Sequence, residues 1–227
     1  MPPDARVALY YCPPEDDPLY LAGAAWLGRD PATGAPTPQP DLAGIAEVTA
    51  EARGYGFHAT LKPPMRLAPG CSWAGLLTAT RETAARIAPF DLPPLAVHDL
   101  HGFLALRETE PSAELQALAD ACVEQLDGFR AAPSEAVRAR RRRANLTPEQ
   151  DAMLVRFGYP YVLETWFFHM TLTRRLSPEE HRVWRPAAER YFSKLAGVKR
   201  RVSDICLFTQ TEPGAPFVIA ERVPLRG

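Results

Sequence analysis

Two tetrapeptides of one type, His58-Ala-Thr60-Leu61 and His169-Met-Thr171-Leu172, stand about half a chain apart, each directly after a phenylalanine, Phe57 and Phe168. Imidazole titrates near pH 6.5, so one copy can hold a proton while the other accepts one. Two neighbouring hydroxyls can donate to anionic oxygens. This set suits a phosphodiester. In-line attack by water needs a base on the nucleophile's side and an acid on the leaving group's side, with hydroxyls on the nonbridging oxygens.

The spacing has a geometric meaning, because side chains alternate across a β-strand with a period of two. In the first copy Tyr55, Phe57, Ala59 and Leu61 share one face, and His58, Thr60 and Lys62 share the other. In the second, Trp166, Phe168, Met170 and Leu172 lie behind His169, Thr171 and Thr173. Each strand is expected to have an apolar back and a hydrogen-bonding front. If the two strands face each other, His58, His169, Thr60 and Thr171 converge in one cleft, with Lys62 as a further phosphate contact.

The elements that must position these strands are marked by prolines, 24 of them, clustered at 31–40, 63–69, 89–94 and 213–224. Residues 6–12 read as a strand and 18–27 as a helix, followed by a loop over Gly28 to Pro40 long enough to serve as a lid. Residues 55–67 read as a strand broken near Pro63-Pro64, and 72–87 as an amphipathic helix. Strands at 95–98 and 101–106 meet across a tight turn at Asp99-Leu100, before a capped helix over 112–126. After a linker at 128–134 the pattern repeats: helices at 147–158 and 177–195, strands at 165–173, 202–210 and 216–223. The expected fold is α+β, with two pseudo-symmetric lobes in one domain spanning 1–227 and a lobe boundary near 128–134. Each lobe is an antiparallel sheet with helices packed outside, and the central cleft carries one motif strand per lobe. No GxGxxG or GxxxxGK[ST] run supports a doubly wound alternative.

Composition narrows the function classes. The 227 residues are 46% apolar and 23% charged, as in folded soluble domains. Twenty-six Lys and Arg against 27 Asp and Glu leave a charge of -1, so no global field favours nucleic acid or an anionic membrane. Cys12, Cys71, Cys122 and Cys206 form no CxxC pair, which argues for a reducing cytoplasm. No leader-like start or membrane-length apolar stretch is legible, so neither secretion nor membrane insertion is expected. Neither His98 and His101, flanking the turn, nor any carboxylate-histidine cluster has the spacing of a metal site, so no metal and no cofactor is expected. His181, in a charged helix, is expected to face solvent.

The run from Arg138 to Arg143 has two readings: a solvated helix face, or a group that reaches into the cleft to hold a second phosphate or RNA. Tyr159 and Tyr161 could line the same cleft. Tyr10 and Tyr11 could serve the core, the sheet surface or ligand stacking.

At the two motifs the sequence resembles the 2H phosphoesterases, named for paired HxTx or HxSx motifs in two lobes. The stretches Tyr55-Gly-Phe-His-Ala-Thr-Leu-Lys-Pro-Pro and Leu27-Gly28-Arg29-Asp30 are similar to its DUF1045 branch, encoded beside bacterial phosphonate-degradation genes. The resemblance implies His58 and His169 as the catalytic pair and Thr60 and Thr171 as phosphate ligands. It implies metal-independent hydrolysis of a cyclic phosphodiester on a small phosphorylated sugar, such as 5-phosphoribosyl 1,2-cyclic phosphate. Two alternatives stay open: a 2',3'-cyclic phosphate enzyme acting on RNA, and a noncatalytic sensor of a phosphorylated ligand.

Overall fold

Helix starts follow the capping residues. Asp17 accepts from the Leu19 N–H ahead of Pro18, while Thr147 with Gln150 and Ser177 with Glu180 form capping boxes ahead of Pro148 and Pro178. The computed structural model describes residue 2 and residues 4–227. Chain order is β1 (Arg6–Tyr11), α1 (Pro18–Leu27), α2 (Ile45–Val48), α3 (Ala50–Tyr55), β2 (Ala59–Met65), α4 (Trp73–Ala84), β3 (Phe90–Leu92), β4 (Leu95–Leu100) and β5 (Phe103–Glu108). It continues with α5 (Ala113–Gln125), α6 (Glu135–Arg142), α7 (Pro148–Phe157), β6 (Met170–Arg175), α8 (Pro178–Phe192), β7 (Arg200–Val202), β8 (Asp204–Gln210) and β9 (Val218–Pro224). No helix among the described residues is long and apolar enough to cross a membrane.

The expected α+β architecture is present, built on a seven-stranded sheet in the order β4-β5-β6-β2-β1-β8-β9 with every neighbouring pair antiparallel. β3 and β7 form a separate two-stranded sheet. The two expected sheets therefore meet edge to edge. One half is β2-β1-β8-β9, the other β4-β5-β6, and the pair Ala59↔Met170 joins them.

This topology corrects the expected lobe boundary. The chain starts in one half, crosses to the other through β4, β5 and β6, and returns with β8 and β9, so no cut at 128–134 separates the halves. Residues 128–134 instead run beside the end of β2: Ala68 N–H donates to Phe129 O at 2.9 Å and Ala131 N–H to Arg66 O at 2.9 Å.

The main core lies behind the sheet. Trp26 is fully buried against Trp184, Tyr191 and Phe192, and its indole N–H donates to the Leu172 carbonyl at 2.9 Å. Burying a side chain of that size stabilises the fold by about 3 kcal/mol. Ala59, Leu61, Phe168, Met170 and Leu172 face this core, as the period-two reading requires. A second cluster, with Ala8, Tyr10, Cys206, Phe208 and Phe217, covers the front of the first half.

The segment from Gly28 to Pro40 is no lid. Thr37 bonds to Gly28 and Ala24 carbonyls and Gln39 to the Trp26 carbonyl, which fastens the loop to the end of α1, and it does not line the cleft described below. The β4–β5 turn sits at His101-Gly102, both at positive φ, with Asp99 accepting the Gly102 N–H at 2.7 Å. His181 does not simply face solvent, since its Nε2 lies 3.6 Å from an Asp99 carboxylate oxygen.

Candidate active site

The strand pair that joins the two half-sheets is flanked by the two motif histidines. Ala59 follows His58, Met170 follows His169, and the strands are antiparallel. Extending that register by one residue each way sets His58 opposite Thr171 and Thr60 opposite His169. Among the described residues, the imidazole–hydroxyl contact lies within the first motif, between His58 and Thr60 at 3.3 Å.

Gly56 prepares the first histidine. Its φ of 81° and ψ of 173° favour glycine, and a Cβ there would lie 3.0 Å from Pro31 and 3.1 Å from Arg29. The turn aims the Gly56 carbonyl back at the ring, where it accepts the His58 Nδ1–H at 2.8 Å. With the proton on Nδ1, Nε2 carries the lone pair, and Thr60 Oγ1 lies 3.3 Å away to donate to it. The ring stacks on Tyr10 with centroids 3.7 Å apart and planes 22° apart. Arg29, buried, supports this turn by donating to the Arg53 carbonyl at 2.8 Å. Burial pushes the His58 pKa down to about 4; the Gly56 carbonyl opposes the shift, and the charges of His169 and Arg29 add to it.

His169 repeats the arrangement: its Nδ1–H donates to the Phe167 carbonyl at 3.2 Å. Phe167 and Phe103 flank the ring at 4.9 and 5.9 Å between centroids. Burial lowers its pKa, the Phe167 carbonyl opposes, and Arg107 lowers it further. Both rings thus share one tautomer, held by the carbonyl two residues upstream.

His58, His169, Thr60 and Thr171 line a single cleft of about 730 Å³. Its wall also carries Arg6, Arg140, Arg141, Arg174 and Arg175, against the single carboxylate of Glu51. Arg174 is committed to Glu47 and Glu180, each at 2.8 Å, and Arg175 donates to the His101 carbonyl. Thr173 also lines the cleft, but its hydroxyl accepts the Leu104 N–H at 3.0 Å and so holds β5 to β6.

Lys62 departs from the expected arrangement. A β-bulge between Tyr10↔Thr60 and Leu9↔Lys62 inserts Leu61 as an extra residue, so Lys62 shares a face with Leu9, which belongs to the rear core. Its side chain is 2% exposed and donates to the Val123 carbonyl at 3.1 Å, with Asp127 at 3.4 Å. Burial lowers its pKa while Asp127 opposes. It holds α5 to the sheet and does not reach the cleft.

The arginine run divides. Arg138 pairs with Glu135 at 3.0 Å and Arg142 with Asp151 at 2.7 Å, whereas Arg140 and Arg141 line the cleft. Tyr55, Gly56 and Arg6 line the cleft beyond the residues expected from sequence, and Tyr10, with ligand stacking among its expected roles, lies beside them. The pattern Tyr-Gly-Phe-His carries a signal for two of them, since a glycine two before a buried histidine can supply the carbonyl that sets its tautomer. The four cysteines are free, and burial pushes the thiols of Cys12 and Cys122 up to about 12, which disfavours thiolate chemistry. Among the described residues, no three His, Cys, Asp or Glu are grouped to hold a metal ion.

The model of a family described as "Protein of unknown function (DUF1045)" matches residues 60–218. Two bacterial proteins carrying the name ribose 1,5-bisphosphate phosphokinase PhnN are similar. That of Janthinobacterium sp. (strain Marseille) is 41% identical over 231 residues, covering 98% of this chain and 51% of that protein. That of Laribacter hongkongensis (strain HLHK9) is 35% identical over 220 residues, covering 96% and 51%. The chain thus spans about half the length of these curated relatives. Among solved structures, one of a phosphoesterase aligns over 99% of both chains at 15% identity and a TM-score of 0.47. E. coli LigT complexed with 3'-AMP aligns over 98% of both at 13% identity and 0.47. By its match to the family model over most of its length, the chain belongs to the DUF1045 family.

Proposed function

We propose that the chain hydrolyses a cyclic phosphodiester carried on a sugar, with His58 and His169 transferring protons and Thr60 and Thr171 holding the nonbridging oxygens. One observation carries this reading. Both imidazoles give Nδ1–H to a backbone carbonyl, which leaves Nε2 of each as the atom for proton transfer, that of His58 beside the Thr60 hydroxyl, in a shared cleft lined by hydroxyls, guanidinium groups and the Glu51 carboxylate.

We assign His58 as the base and His169 as the acid. His58 is pushed to about 4 and stays neutral at working pH, which suits the base that takes a proton from attacking water. His169 takes the acid's part. Its proton is stabilised when the phosphodiester anion enters, because a nearby negative charge favours the imidazolium. Water oxygen bonds to phosphorus, the phosphorus–oxygen bond to the leaving oxygen breaks, and that oxygen receives the His169 proton. The product is a phosphate monoester beside a free hydroxyl.

The favoured substrate is 5-phosphoribosyl 1,2-cyclic phosphate. Departure of its 2-oxygen yields ribose 1,5-bisphosphate, the compound for which the relatives that this chain matches over about half their length are named. Phosphorus NMR of the protein in chelator, with this ester and separately with a 2',3'-cyclic nucleotide, tests the reading. Conversion of the ribosyl ester, lost in His58→Ala and His169→Ala, is the expected result. Preference for the nucleotide would move the chain to RNA ends, and turnover of neither would leave a phosphorylated-ligand sensor.

A further inference from the structure

The cleft has more positive charge than one cyclic diester needs: among the described residues Arg175 on β6 and Arg6, Arg140 and Arg141 have no carboxylate partner, and the last three are grouped where a second cavity adjoins. Arg6 opens β1 four residues before Tyr10, about 13 Å along the strand and on the same face. Its guanidinium donates to Gln210 Oε1 at 2.6 Å and lies over the Phe217 ring at 5.2 Å. Arg141, in the last turn of α6, donates to the Gly158 carbonyl and lies over the Tyr159 ring at 4.7 Å. Arg140 precedes it at the cleft mouth. Neutral groups thus hold Arg6 and Arg141 in place, and among the described residues none of the three is paired with a carboxylate. Arg138 and Arg142, on the same helix, are neutralised by Glu135 and Asp151.

The three guanidinium groups also stand where two cavities meet. A second cavity of about 580 Å³ shares Arg6, Arg140, Arg141 and Tyr159 with the cleft. Mutual repulsion is built into this corner: after burial, and against the opposing effect of Tyr159, the charges of Arg140, Arg130 and Arg6 lower the pKa of Arg141. A bound dianion would relieve it.

We propose that Arg6, Arg140 and Arg141 form a second phosphate subsite, which takes a phosphate monoester on the same sugar that presents its cyclic diester to His58 and His169. The proposal rests on the hydrolytic reading for what occupies the other end. It restricts the substrate class to sugars bearing two phosphoryl groups, since arginine forks match a terminal phosphate in geometry and charge. A polynucleotide would need a basic track continuing outward along α6, and there Arg138 and Arg142 are already paired.

Two measurements test it. The first compares kcat/KM for 5-phosphoribosyl 1,2-cyclic phosphate and for ribose 1,2-cyclic phosphate, in the parent and in Arg6→Gln, Arg140→Gln and Arg141→Gln. The parent is expected to prefer the phosphorylated ester by roughly a hundredfold, and each variant to reduce that preference about tenfold, mainly through KM. The second is calorimetric binding of ribose 5-phosphate, which needs no turnover; it should weaken about tenfold in each variant. Arg140→Gln removes an exposed side chain, so the test survives if Arg141→Gln fails to fold. Arginine-dependent binding of ribose 5-phosphate without turnover of either ester would uphold the subsite and sink the hydrolytic reading. Equal turnover of both esters, with ribose 5-phosphate binding unchanged in the variants, would overturn the subsite and leave hydrolysis standing. Tighter, steeply salt-dependent and Arg140-dependent binding of an oligonucleotide ending in a 2',3'-cyclic phosphate would overturn it in favour of RNA.

Discussion

The indole N–H of Trp166 donates to the carbonyl of Thr60 at 2.8 Å, tying the approach to the second motif to the backbone of the first. The two half-sheets pair through Ala59↔Met170, so this bond is a second tie beside the join. Trp166→Phe keeps an aromatic ring and removes the donor. Unfolding in denaturant should show a loss of about 1 kcal/mol. The larger effect is expected in kcat, about tenfold down with KM little changed, because a slightly misplaced pair of imidazoles damages the chemistry more than the binding. A variant with the parent's kcat would show that the join is held without this bond.

The two rings predict an asymmetric pH–rate profile. In kcat/KM, the rate should fall below about pH 4 as His58 takes a proton and ceases to act as base. It should also fall with rising pH as His169 loses its proton, on a limb below the ordinary imidazole value of about 6.5, since burial lowers that group. In kcat the alkaline limb should move upward, because bound phosphodiester stabilises the imidazolium. A substrate with no titrating monoester keeps the profile clean. A kcat/KM that stays flat through pH 8 would remove His169 from the acid's role.

His58 also links pH to stability. Its folded pKa is below the unfolded one, so the unfolded chain binds more protons between about 6.5 and about 4. Stability from this group is present above 6.5 and is lost as pH falls through that window. The ring is part-open to the cleft, so the loss is discounted to an order of 2 kcal/mol. Thermal unfolding of the parent and His58→Gln across pH 4 to 7 should give curves that converge on acidification.

The motif strands were legible because alternation with period two depends only on local backbone geometry. Ala59, Leu61, Met170 and Leu172 face the core as alternation requires. Helix starts were legible at Asp17-Pro18, Thr147-Pro148 and Ser177-Pro178, where cap and proline adjoin. What failed depends on partners distant in sequence. The bulge that turns Lys62 to the rear is a property of the β1–β2 pair, not of β2. Alternation alone predicts strand over 55–58, but Gly56 at positive φ breaks extension and α3 occupies 50–55. The second motif strand begins at Met170 and not at 165, because Leu163 at φ 50° and the Thr165 hydroxyl close a 3₁₀ turn there.

Lys62 offers a test of the rear-face assignment. Asp127 keeps Arg130 at 2.7 Å if the lysine is lost, so Lys62→Met leaves no unpaired carboxylate. The Val123 carbonyl loses its donor, so a stability loss of about 1 to 3 kcal/mol is expected. In the assay, kcat/KM should stay within about twofold of the parent. A tenfold rise in KM would instead return Lys62 to the phosphate.

Gly23 is where α1 touches the first motif. A Cβ at this position would fall 2.2 Å from Phe57 Cδ1, and Phe57 is fully buried directly before His58. Phe57 cannot retreat freely, since it lies parallel to Phe192 at 6.4 Å, with 5° between planes. In an open helix Gly→Ala gains about 1 kcal/mol, so the sign of the effect identifies its cause. Gly54, in α3, has no atom within 4 Å of its would-be Cβ and provides the control. Gly54→Ala should hold or raise stability, whereas Gly23→Ala should lower it by about 2 kcal/mol as the ring and the strand start shift. Because His58 moves with Phe57, kcat should fall with stability in Gly23→Ala. A destabilised variant with unchanged kcat would mean that the displaced ring is absorbed by the core behind the sheet, and that the tautomer-setting bond from His58 to Gly56 is robust to it.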